Sequence, residues 1–132
     1  MEVVEAQHVP AGAGPSEWFT GAVWLERILE PKDSSRLRAT RVYFSPGART
    51  AWHTHSTGQT LHVAAGIARV QSQGGPIREL RPGDTVTFDP GERHWHGATP
   101  DRPMVHLALQ YAEPGDPAAD WQEHVSDEQY GG

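Results

Sequence analysis

Cysteine is absent from the 132 residues. That excludes disulfides, thiolate metal sites and a cysteine nucleophile. No apolar run approaches the roughly 20 residues a helical bilayer span needs. The N-terminus, MEVVEAQHVPAGAGP, has early acids and no basic n-region, so it does not read as a signal peptide, and a cytoplasmic protein is expected. Positive charge is scarce at one end: no Lys or Arg follows Arg102. Up to Arg102, 11 basic residues balance 11 acidic ones, and the net charge of −6 comes from Glu113, Asp116, Asp120, Glu123, Asp127 and Glu128. With no basic stripe, nucleic-acid and membrane-surface binding are not expected. The acidic stretch still carries Trp121, Val125 and Tyr130, so it is expected to pack on the body or on a partner subunit.

Gly (14) and Pro (11) are plentiful, which favours many turns over a helical bundle. Four Pro-Gly steps, at 46–47, 82–83, 90–91 and 114–115, read as type II turns, with Pro presetting φ and Gly accepting positive φ. Between the turns, residues 21–29, 37–44, 60–66, 67–72, 85–88 and 104–111 alternate or run apolar as strands do. The pattern predicts an all-β barrel or sandwich in one domain. The best helix signal is the end, where Trp121, His124, Val125 and Glu128 recur at helical spacing and Ser126 with Gln129 resembles a capping box.

One stretch, AWHTHSTGQTLHVAAG (51–66), sets polar residues in an otherwise apolar run. In a strand, i and i+2 face one side. His53 therefore points with His55, and His94 with His96. Such pairs supply imidazole nitrogens to one ion, or form the wet face of a strand. Gln59 follows across a turn-like STG and can face the same interior. Leu61 and Val63 share its face and are expected to line an apolar pocket, with His62 pointing outward. Trp52 and Trp95 have the opposite parity to their histidine neighbours and read as core or interface aromatics.

These residues resemble a known family. GARTAWHTHSTGQTLHVAAG (47–66) is similar to the first cupin motif, and GDTVTFDPGERHWHGA (83–98) to the second. The resemblance implies an all-β, jelly-roll-like cupin barrel over residues 1–132, with an N-terminal arm (1–20), a metal-binding core of about 36–112 and an acidic C-terminal arm (113–132). It places the metal ligands on His53, His55, Gln59 and His94. Two positions depart from cupins at large: Gln59 stands where a glutamate is usual, and Ala98 where an asparagine often is. A neutral amide leaves the ion's charge uncancelled, which favours Lewis-acid chemistry over oxygen activation.

EWFTGAV, PGARTAWHTH, GQTL, PGERHWHGA and WQEHVSDEQY narrow the resemblance to small bacterial cupins that include manganese-dependent hydroxynitrile lyases. That subgroup implies a divalent metal, Mn²⁺ first and Fe²⁺, Ni²⁺ or Zn²⁺ as alternatives, and reversible cleavage of cyanohydrins to an aldehyde and hydrogen cyanide. It also implies a homodimer or homotetramer. His106, whose strand face carries Met104, Ala108 and Gln110, is the first candidate base, or else a histidine that hydrogen-bonds a ligand. His96 is the second, as base or as an orienting group. Gln110 is a candidate for binding the substrate or the leaving nitrile. Thr40 and Val42 are candidates for shaping the pocket, with plain barrel packing as the alternative. Two other classes stay open: a metal-dependent oxygenase and a cupin that binds a small molecule without turnover.

Overall fold

In this computed structural model all 132 residues are described. The strands are β1 (Ala11–Ala13), β2 (Phe19–Thr20), β3 (Val23–Leu29), β4 (Leu37–Phe44), β5 (Arg49–Thr50), β6 (His53–Thr54) and β7 (Gln59–Ala65). They continue as β8 (Ala68–Ser72), β9 (Arg78–Leu80), β10 (Thr85–Phe88), β11 (His94–Ala98), β12 (Met104–Tyr111) and β13 (Asp120–Trp121), and the chain ends in helix α1 (Asp127–Gly131). The six expected strands all form: 37–44, 85–88 and 104–111 at the expected residues, and the other three with ends shifted by one or two residues.

One sheet runs β1-β3-β4-β12-β7-β10 and the other β13-β6-β11-β5-β2, with β8 and β9 joined to the second through β11. All pairings are antiparallel. The sheets enclose a core that contains Leu25, Val42, Phe44, Leu61, Val63, Val70, Phe88 and Met104. Each such side chain, fully buried, contributes roughly 1.5–3 kcal/mol. The segment before residue 20 is tied in, because β1 pairs with β3 and β2 with β5.

Two glycines meet conditions a side chain would violate. Gly58 has φ +78°, and a Cβ there would sit 2.6 Å from the Phe88 carbonyl oxygen. Its turn, closed by Gly58 N–H donating to His55 O at 3.2 Å, reverses the chain just before Gln59. Gly66 has φ +74°, and a Cβ would meet Pro103 O at 2.0 Å. It follows a register shift in the β7–β12 ladder, where Val105 pairs with Ala65 and His106 with Val63. The extra residue bends the ladder beside His106, as bulges near functional sites do.

The C-terminal stretch packs on its own body. Ser126 caps α1 through a capping box with Gln129, as its sequence predicts. The helix begins only at Asp127, however. Trp121 lies in β13 and His124 outside any element, because β13 pairs with β6 and holds that stretch extended. Val125 and Tyr130 form a second apolar cluster with Trp52 and Trp95, which settles those tryptophans as core aromatics of the chain. Arg49, buried, donates to Val125 O and pairs with Asp127, both at 2.8 Å. Its guanidinium also lies 4.5 Å from the centre of the Tyr130 ring. No helix is long and apolar enough to cross a membrane.

Candidate metal centre and pocket

His53 sits on β6 between two neighbours. It pairs with His94 on β11 and with Trp121 on β13. Directly opposed residues of antiparallel strands bring their side chains together on one face. The His53 ring centre is accordingly 4.3 Å from that of His94 and 4.5 Å from that of Trp121. His55, one alternation on, brings its ring to 4.9 Å from His53. Gln59 enters from β7, with its Oε1 3.4 Å from His94 Nε2. His94 is stacked on Phe88, 3.7 Å between ring centres.

Three of these rings are held in the same way. Nδ1–H of His53 donates to Ala51 O at 2.9 Å, that of His55 to Ala118 O at 2.7 Å and that of His94 to Glu92 O at 2.8 Å. Carbonyl oxygens only accept, so each ring is fixed in the tautomer whose Nε2 bears a lone pair. Burial pushes His53 well below the usual histidine range, with His94 and His55 adding to the shift. Burial also lowers His55, and takes His94 down to about 4. The imidazoles are therefore neutral at pH 7, as ligation requires. The His55 Nε2 is buried without a partner. An unpartnered acceptor beside two similar ones and an amide oxygen fits a divalent cation of nitrogen and oxygen preference.

The ring nitrogens of His53, His94 and His96 lie within 4.8 Å of one another, which offers His96 as a rival to His55. The hydrogen bonds favour His55. His96 has no carbonyl to fix its tautomer. Its Nδ1 is 3.0 Å from His106 Nε2 instead. Both rings of that pair are buried, with His96 Nε2 and His106 Nδ1 unpartnered. Burial, then the charges of His106 and His53, push His96 well below its usual range, and burial takes His106 to about 4.

A cavity of about 220 Å³ opens over this cluster. His53, His55, Gln59, His96, His106 and Gln110 border it, as do Thr40 and Val42. Leu61 and Val63 do not. They face inward, as their parity requires, but lie in the core that closes the barrel beyond the site. Alternation fixes the face of a residue and not its depth, so the expectation that they line the pocket is corrected. Gln110 donates to Ala118 O at 2.9 Å, which ties the acidic segment to the cavity wall.

Other residues complete the wall. Thr50, which accepts from the His96 backbone N–H, and Phe44 border the cavity. Trp18 and Trp121, stacked 5.2 Å apart, close another side. Arg38 lines it too, and the signal was available, since Arg38 shares the inward parity of Thr40 and Val42.

A family model described as a cupin domain matches residues 40–110. A relative from Granulicella tundricola, named (R)-mandelonitrile lyase, is 49% identical over 130 residues, 98% of each chain. Among solved structures, a cupin-like protein from Thermotoga maritima matches with a TM-score of 0.85 at 39% identity, over 89% of each chain. The polyketide cyclase RemF from Streptomyces resistomycificus reaches 0.70 at 22% identity, over 98% of this chain and 90% of that one, a likeness of fold alone. A two-sheet barrel with inward imidazoles from both motifs, matched by that model over more than half its length, places this chain in the cupin family.

Proposed function

We propose that this cupin is a metal-dependent lyase that reversibly splits cyanohydrins such as mandelonitrile into an aldehyde and hydrogen cyanide. The observation that carries the reading is the 49% identity, over nearly the whole of both chains, to a relative named for that reaction. His53, His55, Gln59 and His94 would hold the metal, with Mn²⁺ the ion the resemblance implies. When bound, a divalent ion supplies Lewis acidity, lowering the pKa of a hydroxyl and stabilising negative charge.

The chain's own residues then have distinct tasks. His106 takes the substrate hydroxyl proton at Nδ1, the nitrogen it leaves without a partner. Its Nε2–H donates to His96 Nδ1, which holds the ring and shares the positive charge that develops. The electrons of the O–H bond form the carbonyl π bond as the bond to the nitrile carbon breaks, and the electron pair of that broken C–C bond leaves with cyanide. His106 then passes its proton to the departing cyanide. The reverse sequence adds cyanide to an aldehyde. Thr40 and Val42 fill the wall beside His106 and set the shape the aldehyde substituent meets. Gln110, anchored through its Nε2, points its Oε1 at the Gln59 amide at 3.5 Å and helps hold that amide in place.

Synthesis tests the reading. Manganese-loaded protein, benzaldehyde and cyanide are expected to give an excess of (R)-mandelonitrile on chiral chromatography. A racemic product forming at the uncatalysed rate would overturn it.

A further inference from the structure

The cavity contains a cation that the proposed chemistry does not use. Arg38 lies on the inward face of β4, opposite Gln110 on β12, at the opposite end of that face from Phe44. An arginine on the inner face of a barrel strand is costly unless something pairs with it. Its Nε is buried and has no hydrogen-bond partner. The contrast with its neighbour is direct. Arg27, which also lines the cavity, has Glu30 at 3.6 Å, while no carboxylate lies within 4.0 Å of Arg38. Glu30 is the only acid on the cavity wall, so Arg27 and Glu30 cancel and Arg38 remains as uncompensated positive charge. Arg38 and His55 border the same cavity.

We infer that Arg38 is a recognition group for a carboxylate on the substrate, so that this cavity takes small anionic cyanohydrins and aldehydes in preference to neutral ones. A guanidinium offers Nε–H and an Nη–H as a parallel pair that matches two carboxylate oxygens, and burial strengthens both bonds. The carboxylate satisfies the buried Nε–H and neutralises the unpaired charge. Gln110, across the ladder, and Thr40, two residues along β4, flank Arg38 on the cavity wall. The inference rests on the lyase reading for the reacting group and on Arg38 alone for the anion.

The test separates the two. Manganese-loaded protein is titrated calorimetrically with 4-formylbenzoate and with its neutral methyl ester, in the wild type and in Arg38→Leu and Arg38→Lys. In parallel, kcat/KM is measured for mandelonitrile and for the cyanohydrin of 4-formylbenzoate. The wild type is expected to favour the carboxylate by about tenfold or more in both assays. Arg38→Leu abolishes the preference and Arg38→Lys keeps part of it. Because the preference is a ratio within each variant, a general loss of stability does not mimic it. A carboxylate preference in binding that depends on Arg38, with neither cyanohydrin cleaved, would sustain the anion site and sink the lyase reading. Cleavage of both cyanohydrins at similar efficiency, or a preference that survives Arg38→Leu, would overturn the anion site and leave the lyase reading standing.

Discussion

His106 Nε2 and His96 Nδ1 lie 3.0 Å apart, and the second nitrogen of each ring has no partner. The pair is thus a two-member chain on the cavity wall, with one nitrogen of each ring left unpartnered. Replacing His106 by Asn removes the proton acceptor while keeping a polar side chain. The expected result is a fall in kcat of about 10²-fold or more with bound manganese unchanged, read by steady-state kinetics and metal analysis. Loss of metal together with activity would assign His106 to the metal centre instead.

The choice between His55 and His96 as third imidazole is open to a direct comparison. His55→Ala removes an Nε2 acceptor whose ring is fixed by Ala118 O. It is expected to weaken manganese binding beyond the roughly 10–100-fold that loss of an outer hydrogen-bond partner causes. His96→Ala is expected to weaken it by less than about tenfold and to lower kcat. Titration of each metal-free variant with Mn²⁺ checks this, and the reverse order would move the site onto His53, His94 and His96.

The C-terminal helix predicts a stability effect away from the chemistry. Tyr130 is packed on Trp95, donates to Ala98 O at 2.5 Å and lies under the guanidinium of Arg49. Tyr130→Ala is expected to cost about 3 kcal/mol, from the cavity and the lost hydrogen bond. Urea unfolding of the wild type and variant measures it, and a change below about 1 kcal/mol would show that α1 is not part of the cooperative unit.

Acid is expected to unfold the metal-free protein through its buried imidazoles. His94 and His106 stand at about 4 in the folded state because of burial, against about 6.5 when unfolded. Between those values the unfolded chain binds more protons, so stability is present above about pH 6.5 and is lost as pH falls towards about 4. Each group accounts for roughly 3 kcal/mol at full effect. Urea midpoints at pH 7.5 and pH 5 give the sign: a midpoint that rises on acidification would contradict neutral, buried histidines.

Much of this architecture was legible because period and turn chemistry agree. The strand at 104–111 forms at the expected residues, with Met104, His106 and Ala108 buried on one face. All four glycines of the Pro-Gly steps have positive φ. Two-residue strands such as β5, β6 and β13 carry no period of their own and exist only through their partners. Trp121 has helical spacing to His124 and Val125, yet pairing with His53 holds it extended. Leu61 and Val63 show the limit of parity, which sorts faces but not depth. Arg38 was legible by the same rule, since it shares the inward parity of Thr40 and Val42.

The central claim, that the imidazole–amide cluster holds a metal which serves cyanohydrin cleavage, is tested most directly by benzaldehyde release from racemic mandelonitrile. The assay uses protein reconstituted with Mn²⁺, and His53→Ala shown to have lost its metal as the control. Release well above that control is expected. No release from wild-type protein with manganese shown to be bound would contradict the claim.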